Sequence, residues 1–182
     1  PKARIFGPAF TVQASYASDP KSYSRNYSVY DLSEHWNKGD VLVIDGLNAK
    51  CALMGDQIGH VCQYGGLSGV VLNGRCRDVD GIRNLKMPIF GRGPAIQLGK
   101  GILNLTAYNV PLNVAGAHVN PGDYILGDND GVLVFPADRA IDIMYQAEMV
   151  IEVEKELEQA IRDRQPVQRI KEIVKKKAIP RP

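Results

Sequence analysis

Two arginines and two aspartates follow an apolar segment of the chain within six residues. The segment 69–72 is typical of a buried strand, and Arg75, Arg77, Asp78 and Asp80 come directly after it. The ends of strands are where α/β proteins carry their binding and catalytic loops. A guanidinium binds a carboxylate through two parallel donors, and a neighbouring aspartate can hold Mg²⁺ together with waters. The cluster predicts a site for a small anionic substrate that also binds metal.

These residues also have a purely structural interpretation. Asp78 could cap a short helix over residues 78–85, and Arg77 could then be an ordinary surface residue. The two residues alone do not decide between the two interpretations.

A second candidate is the turn Gly55-Asp56-Gln57-Ile58, because a helical pattern covers residues 52–63. Exposed amides at a helix N-terminus bind carboxylates without any side chain, and Asp56 could position a water. Asp56 could instead cap the helix or pair with His60 one turn later. A metal site made from Asp56 and His60 would have too few ligands.

Composition excludes several other classes. The 182 residues are 45% apolar, enough for a buried core, and the net charge of +2 argues against nucleic acid as a partner. No apolar run approaches the roughly 18 residues that a membrane span needs. Cys51, Cys62 and Cys76 lack metal-type spacing, and together with the absence of a signal-peptide pattern this predicts a cytoplasmic protein.

The hydrophobic pattern predicts an α/β chain. Strands are expected at 9–14, 41–45, 69–72, 88–90, within 102–114 and on both sides of the acidic turn at 128–131, and helices at 52–63, 78–85 and 137–163. The pattern of residues 16–30 predicts a loop with a short helix. We expect a single domain over residues 1–163, followed by a basic tail over 164–182.

The last long helix carries an apolar stripe at helical spacing, made by Ala147, Val150, Leu157 and Ile161. Glu154 falls on the same stripe, where a carboxylate costs stability unless it is wetted, paired or used. It either reaches solvent at the helix edge or faces the site of a neighbouring subunit.

The segment ALMGDQIGHVCQYGGLSGVVLNGRCRDVDGI resembles the core of the class II pyruvate aldolases, the 4-hydroxy-4-methyl-2-oxoglutarate aldolases. That family shares its fold with the regulator of ribonuclease activity A. Its pattern is an Asp, twenty residues and then Arg-Asp, which Asp56 and Arg77-Asp78 match. The likeness extends from about Ile5 to about Ile161 and includes GPAFTV, KGDVLVIDG and PGDYILGDNDGVLVFP.

The resemblance implies a β/β/α sandwich of the phosphohistidine-swivelling-domain type, assembled as homotrimers or homohexamers. It also implies an N-terminal helical segment that this sequence lacks, so we expect a truncated start. Two residues depart from the family. Asn73 stands where many relatives have Asp, and Arg75 adds a second cation beside Arg77.

The resemblance further implies a site. Asp78 would bind Mg²⁺ or Mn²⁺, and Arg77 would clamp the carboxylate and keto oxygen of a 2-oxo acid. Amides of Gly55, Asp56, Gln57 and Ile58 would hold the carboxylate from the other side. Asp56 would position a water for proton transfer, and Glu154 corresponds loosely to a carboxylate supplied by an adjacent subunit.

The activity implied is metal-dependent cleavage of 4-hydroxy-2-oxo acids to pyruvate, with oxaloacetate decarboxylation as a side reaction. The alternative is a protein-binding regulator of ribonuclease activity without catalysis. An intact set of Asp56, Arg77 and Asp78 favours the enzyme.

Overall fold

The strand Val41–Asp45 is buried along its whole length, which explains its unbroken apolar sequence. Its side chains alternate between two hydrophobic clusters. Leu42 and Ile44 belong to one cluster, and Val41 and Val43 belong to the other. This period of two is that of a strand covered on both faces.

The computed structural model describes residues 4–18 and 27–178. The strands are β1 Ile5–Tyr16, β2 Val41–Asp45, β3 Ala52–Met54, β4 Gly69–Leu72, β5 Arg75–Cys76, β6 Ile89–Gly91, β7 Leu103–Tyr108, β8 Leu112–Val114, β9 Ala117–Val119, β10 Tyr124–Gly127 and β11 Val132–Phe135. The helices are α1 Val29–Leu32, α2 Asp56–Tyr64, α3 Val79–Arg83, α4 Ala140–Arg162, which follows a 3₁₀ turn at Ala137–Arg139, and α5 Val167–Lys175.

Contacts divide the chain into two compact units, residues 1–137 and 138–182. The predicted domain over 1–163 spans parts of both units and stays a prediction. No helix within the described ranges is both long enough and apolar enough to cross a membrane.

Seven of the described strands of the first unit form one sheet. Strands β1, β2, β4 and β6 run parallel in that order, and β10 and β11 extend the sheet antiparallel from the first part of β1. Strand β7 pairs antiparallel with the last part of β1. The parallel strands therefore end at one edge of the sheet, where an α/β protein places its ligands.

The sheet lies between two layers. Residues of α1 and α2 pack into the cluster on one face, and the β8–β9 hairpin packs into the cluster on the other. The mixed α/β architecture is the one expected, whereas the phosphohistidine-swivelling type stays a prediction.

Most elements lie where the sequence predicts them. The predicted basic tail contains the helix α5. The predicted helix over 52–63 is wrong at its start, because residues 52–54 form β3. Ala52 donates to the carbonyl of Gln97 at 2.7 Å and accepts from Gly99 at 2.8 Å, so distant backbone decides its conformation. Part of the loop predicted over 16–30 lies outside the described residues.

In the second unit, α5 packs against α4 and buries Ile173. Arg169 and Lys176 pair with Glu156 of α4 at 3.0 and 2.6 Å, and the Lys176 hydrogen bond lowers the pKa of that carboxyl. The predicted apolar stripe of α4 is shifted: Ala147 and Ile161 are exposed. The more covered positions of α4 are Ala140, Ile143, Gln146, Val150, Val153, Glu156, Leu157 and Ala160.

Candidate active site

A small second sheet brings the two predicted motifs together. Strands β3 and β5 are parallel, with Ala52 opposite Arg75, and the amide of Arg77 donates to the carbonyl of Met54 at 3.0 Å. Because parallel strands end side by side, Gly55 after β3 and Arg77 after β5 become neighbours. This pairing explains how motifs twenty residues apart share one site.

Arg77 and Asp78 form an ion pair, with Nε 3.3 Å from Oδ2. Their side chains are 47% and 37% exposed, so both remain accessible to a ligand. Asp78 stands at the N-cap of α3 with left-handed backbone angles, φ 57° and ψ 48°, and its side chain caps no amide. Asp78 thus occupies the N-cap position that the structural interpretation gave it, but its side chain does not act as a cap.

Gly55 lies in contact with this pair. A Cβ at this position would lie 2.3 Å from Asp78 Oδ2 and 3.2 Å from Arg77 Nε, so a side chain here would displace both groups. Gly55 is also the N-cap of α2, and no side chain caps that helix end among the described residues. The first amides of α2, from Asp56 to Ile58, lack intrahelical acceptors and suit an anion.

The carboxylate of Asp56 is in close contact with α3. A Cβ on Gly81 would lie 2.8 Å from Asp56 Oδ2, so the glycine leaves room for the carboxylate. The predicted alternative of a pair with His60 is wrong, since His60 Nδ1 is buried without a hydrogen-bond partner among the described residues. His60 instead stacks on Tyr64, with ring centroids 5.8 Å apart.

The turn 55–58 and the pair Arg77 and Asp78 line one cavity of about 280 Å³, which we call the main cavity. Arg75 and Asp80, the other two members of the charged cluster, do not line it. Its lining also includes residues that the motifs did not indicate: Tyr27, Ser28, Val29, Tyr30, Ala52, Leu53, Met54, Leu98, Gly99, Lys100, Leu103 and Leu105. Lys100 adds a cation to this lining. No sequence motif marks the other residues, and only the pairing of distant segments brings them to the cavity.

A buried polar network supports the same edge of the sheet. Asn73 donates to Asp45 Oδ1 at 2.8 Å and accepts from Arg92 Nε at 3.1 Å. These residues lie at the ends of the adjacent parallel strands β2, β4 and β6. This contact explains why the chain has Asn73 where many relatives have Asp. An Asp at this position would place a second carboxylate against Asp45.

Glu154 lies in the second unit, where its Oε1 accepts from Lys177 Nζ at 2.7 Å. Its side chain is 56% exposed, as expected of a carboxylate at a helix edge. A catalytic contribution of Glu154 to a neighbouring subunit stays a prediction.

Other candidates for chemistry are occupied by structural contacts. Burial raises the pKa of all three thiols, to about 12 for Cys62, so thiolates are disfavoured. His35 stacks on Tyr108, and His118 Nε2 lies 3.1 Å from Asn120 Oδ1. Within 4–18 and 27–178, no group of three or more His, Cys, Asp or Glu is arranged to hold a metal.

A family model matches most of the sequence. Residues 1–134 match the RraA-like family, described as Aldolase/RraA. The chain belongs to this family.

Two relatives align with most of this chain. A Halalkalibacterium halodurans protein named "Putative 4-hydroxy-4-methyl-2-oxoglutarate aldolase" is 34% identical over 164 residues, covering 88% of this chain and 73% of that protein. Protein DlpA of Legionella pneumophila is 31% identical over 87% of this chain, which spans 26% of DlpA's length.

A solved structure matches the fold. Streptomyces coelicolor RraAS2, described as an unusual member of the RNase ES inhibitor RraA protein family, superposes with a TM-score of 0.76 at 28% identity. The match covers 84% of this chain and 75% of RraAS2.

Proposed function

We propose that this protein is a divalent-metal-dependent lyase that cleaves 4-hydroxy-2-oxo acids, such as 4-hydroxy-4-methyl-2-oxoglutarate, to pyruvate. Oxaloacetate decarboxylation would be a side reaction. The observation that carries the proposal is the shared cavity, in which Arg77, Asp78 and the N-terminus of α2 meet. The aldolase name of the Halalkalibacterium relative supports the same reaction.

The cavity has the charges that a 2-oxo acid requires. The amides at the start of α2 suit the carboxylate of the substrate from one side, and the helix dipole adds to that attraction. The Arg77 guanidinium suits the carboxylate and the adjacent keto oxygen from the other side. Gly55 separates these two groups without a side chain, so a small anion can reach both.

The donors beside Arg77 fit Mg²⁺ or Mn²⁺. Asp78 makes an ion pair with Arg77 and no hydrogen bond within the described residues, so carboxylate oxygen remains for a cation. Mg²⁺ commonly takes one or two protein carboxylates and fills its other positions with water and substrate oxygens. When bound, the ion supplies Lewis-acid stabilisation to the keto oxygen.

Cleavage moves one proton and one electron pair. A water positioned by Asp56 accepts the proton of the C4 hydroxyl as the C3–C4 bond breaks. The bonding electrons pass to C3 and the keto oxygen as the enolate of pyruvate, and the C4 fragment leaves as a carbonyl compound. Arg77 stabilises the developing negative charge, and a proton delivered to C3 completes pyruvate.

The test is a coupled pyruvate assay over a panel of 4-hydroxy-2-oxo acids and oxaloacetate, with Mg²⁺ or EDTA. We expect release only with metal, and a fall in kcat/KM of about 10³-fold in Arg77→Ala because a fixed charge at the enolate is lost. Arg83→Ala is the matched control, since Arg83 is an exposed arginine of α3 whose side chain is 74% accessible. Full activity in EDTA, or in Arg77→Ala, would refute the proposal.

The second candidate is a regulator that binds a ribonuclease, which the description of RraAS2 favours. A regulator of this kind would not need a carboxylate available to a metal ion beside Arg77. Ribonuclease inhibition that survives Arg77→Ala, combined with no pyruvate release by the unmodified protein, would support it.

A further inference from the structure

A second cavity, of about 730 Å³, is also lined by the Arg77–Asp78 pair, and we call it the outer cavity. Both residues line the main cavity as well, so the pair forms a wall common to the two. The remaining lining residues of the outer cavity are Lys50, Arg75, Val79, Pro94, Ala95, Ile96 and Gln97. The two shared side chains are 47% and 37% exposed, so both are partly accessible to a ligand.

The outer cavity is positively charged. Lys50, Arg75 and Arg77 line it, against the single carboxylate of Asp78. Within residues 4–18 and 27–178, neither Lys50 nor Arg75 has an acidic side chain within ion-pair distance. The described part of the chain therefore does not neutralise these two cations.

The guanidinium of Arg75 has unused hydrogen-bonding capacity. Its Nη1 donates to the carbonyl of Arg92 over a long 3.4 Å, and its Nε is buried with no hydrogen-bond partner among the described residues. A buried donor without a partner is unfavourable, so such a group usually has a role or a ligand. Because Arg75 lines the outer cavity, an anion there would give the guanidinium a stronger acceptor than its long bond to Arg92.

The backbone explains why two arginines share this cavity. Side chains two residues apart in a strand leave it on the same side, and Cys76 between them is buried in the core. The segment after Gly93 runs beside β5, since Cys76 donates to the carbonyl of Gly93 at 3.1 Å and accepts from Ala95 at 2.8 Å. That segment forms the opposite wall and holds the cavity open beside Arg75.

We propose that Arg75, assisted by Lys50, binds a second carboxylate of the substrate and makes the site selective for dianionic 4-hydroxy-2-oxo acids. This inference rests on the proposed function. The first carboxylate lies at the start of α2, the reacting carbons lie at the Arg77–Asp78 pair, and the part beyond C4 enters the outer cavity. A neutral group there would leave the Arg75 donors without an acceptor, which is how a polar pocket rejects an analogue.

The kinetic test compares 4-hydroxy-2-oxoglutarate with 4-hydroxy-2-oxopentanoate, which has a methyl group in place of the far carboxylate. We expect the ratio of their kcat/KM values to fall at least tenfold in Arg75→Gln and to be partly restored in Arg75→Lys. Lys50→Gln should lower it less, and Arg83→Gln, which removes an exposed charge on α3, should leave it within twofold. An equal loss for both substrates, or no change in the ratio, would overturn the assignment.

A binding test separates this inference from the proposed function. Calorimetry with Mg²⁺ compares 2-oxoglutarate with 2-oxopentanoate, neither of which can be cleaved because both lack the 4-hydroxyl. We expect at least tenfold tighter binding of 2-oxoglutarate, lost in Arg75→Gln. That result without pyruvate release would keep the anion site and reject the lyase, whereas no preference in the unmodified protein would reject the anion site.

Discussion

The same four-residue pattern, Asp-x-Asp-Gly, occurs at residues 78–81 and at residues 128–131, and the two copies do different things. Asp128 Oδ1 accepts a hydrogen bond from the amide of Asp130 at 2.9 Å, so its carboxylate stabilises the turn between β10 and β11. Asp78 makes no such bond, and its carboxylate pairs with Arg77 at the main cavity. Composition alone does not distinguish a carboxylate used by the backbone from one available to a ligand.

The local backbone conformation explains why the carboxylates of Asp78 and Asp128 make different contacts. At 128–131 the turn joins two antiparallel neighbours, so a local side-chain bond is geometrically easy. At 78–81 the chain leaves a parallel strand, and the left-handed conformation of Asp78 turns its side chain away from the amides of α3. Such a conformation in a non-glycine residue is unfavourable and is typical of functional sites.

The two glycines of the pattern differ as well. Gly81 is needed for space, because a Cβ there would meet the carboxylate of Asp56. Gly131 has open space around its Cβ position but a φ of 158°, which other residues rarely adopt. One glycine therefore serves the site, and the other serves the turn.

The largest effect is expected from replacing Asp78, the first aspartate of the copy at 78–81, with asparagine. Asp78→Asn should lower metal-dependent kcat/KM by about 10³-fold, since the ion loses its charged ligand. Asp128→Asn, the matched control, should stay within threefold in the same pyruvate assay. If both variants lose activity equally, the distinction between the two copies is wrong.

A smaller effect is expected from replacing Gly55, which contacts Arg77 and Asp78, with alanine. Gly55→Ala should lower kcat/KM by about 10²-fold, because the new methyl group displaces Arg77 and Asp78 from productive geometry. Gly131→Ala should instead reduce the free energy of unfolding and leave kcat/KM within threefold. Urea unfolding and steady-state kinetics on both variants separate these outcomes, and unchanged kinetics in Gly55→Ala would contradict the close packing.

The smallest effect is expected from the hydrogen-bond network of Asp45, Asn73 and Arg92 at the edge of the sheet. Asn73→Asp removes a buried donor and places like charges together, so unfolding should become easier by about 1–3 kcal/mol. Asn129→Asp adds the same charge on the exposed acidic turn and should change stability by only about 0.5 kcal/mol or less. Equal urea midpoints for Asn73→Asp and the unmodified protein would show that this hydrogen-bond network does not contribute to stability.

Sequence patterns predicted the central strands, whose residues form unbroken apolar runs, and the presence of the long helix, but not which residues of that helix are covered. They failed at residues 52–54, where hydrogen bonds to Gln97 and Gly99 override a local helical pattern. They also missed Tyr27, Leu103 and Leu105, since no local signal marks an apolar residue as part of a cavity.

By itself, the sequence determined the residue types at the site and the spacing of Asp56 from Arg77-Asp78, which together carry the family resemblance. The tertiary structure decided which Asp-x-Asp-Gly copy keeps a carboxylate available and that Arg75 and Lys50 line a second cavity. The physical reason is that charge and hydrophobicity are local properties of a residue, whereas accessibility and hydrogen-bond satisfaction depend on segments far away in the chain.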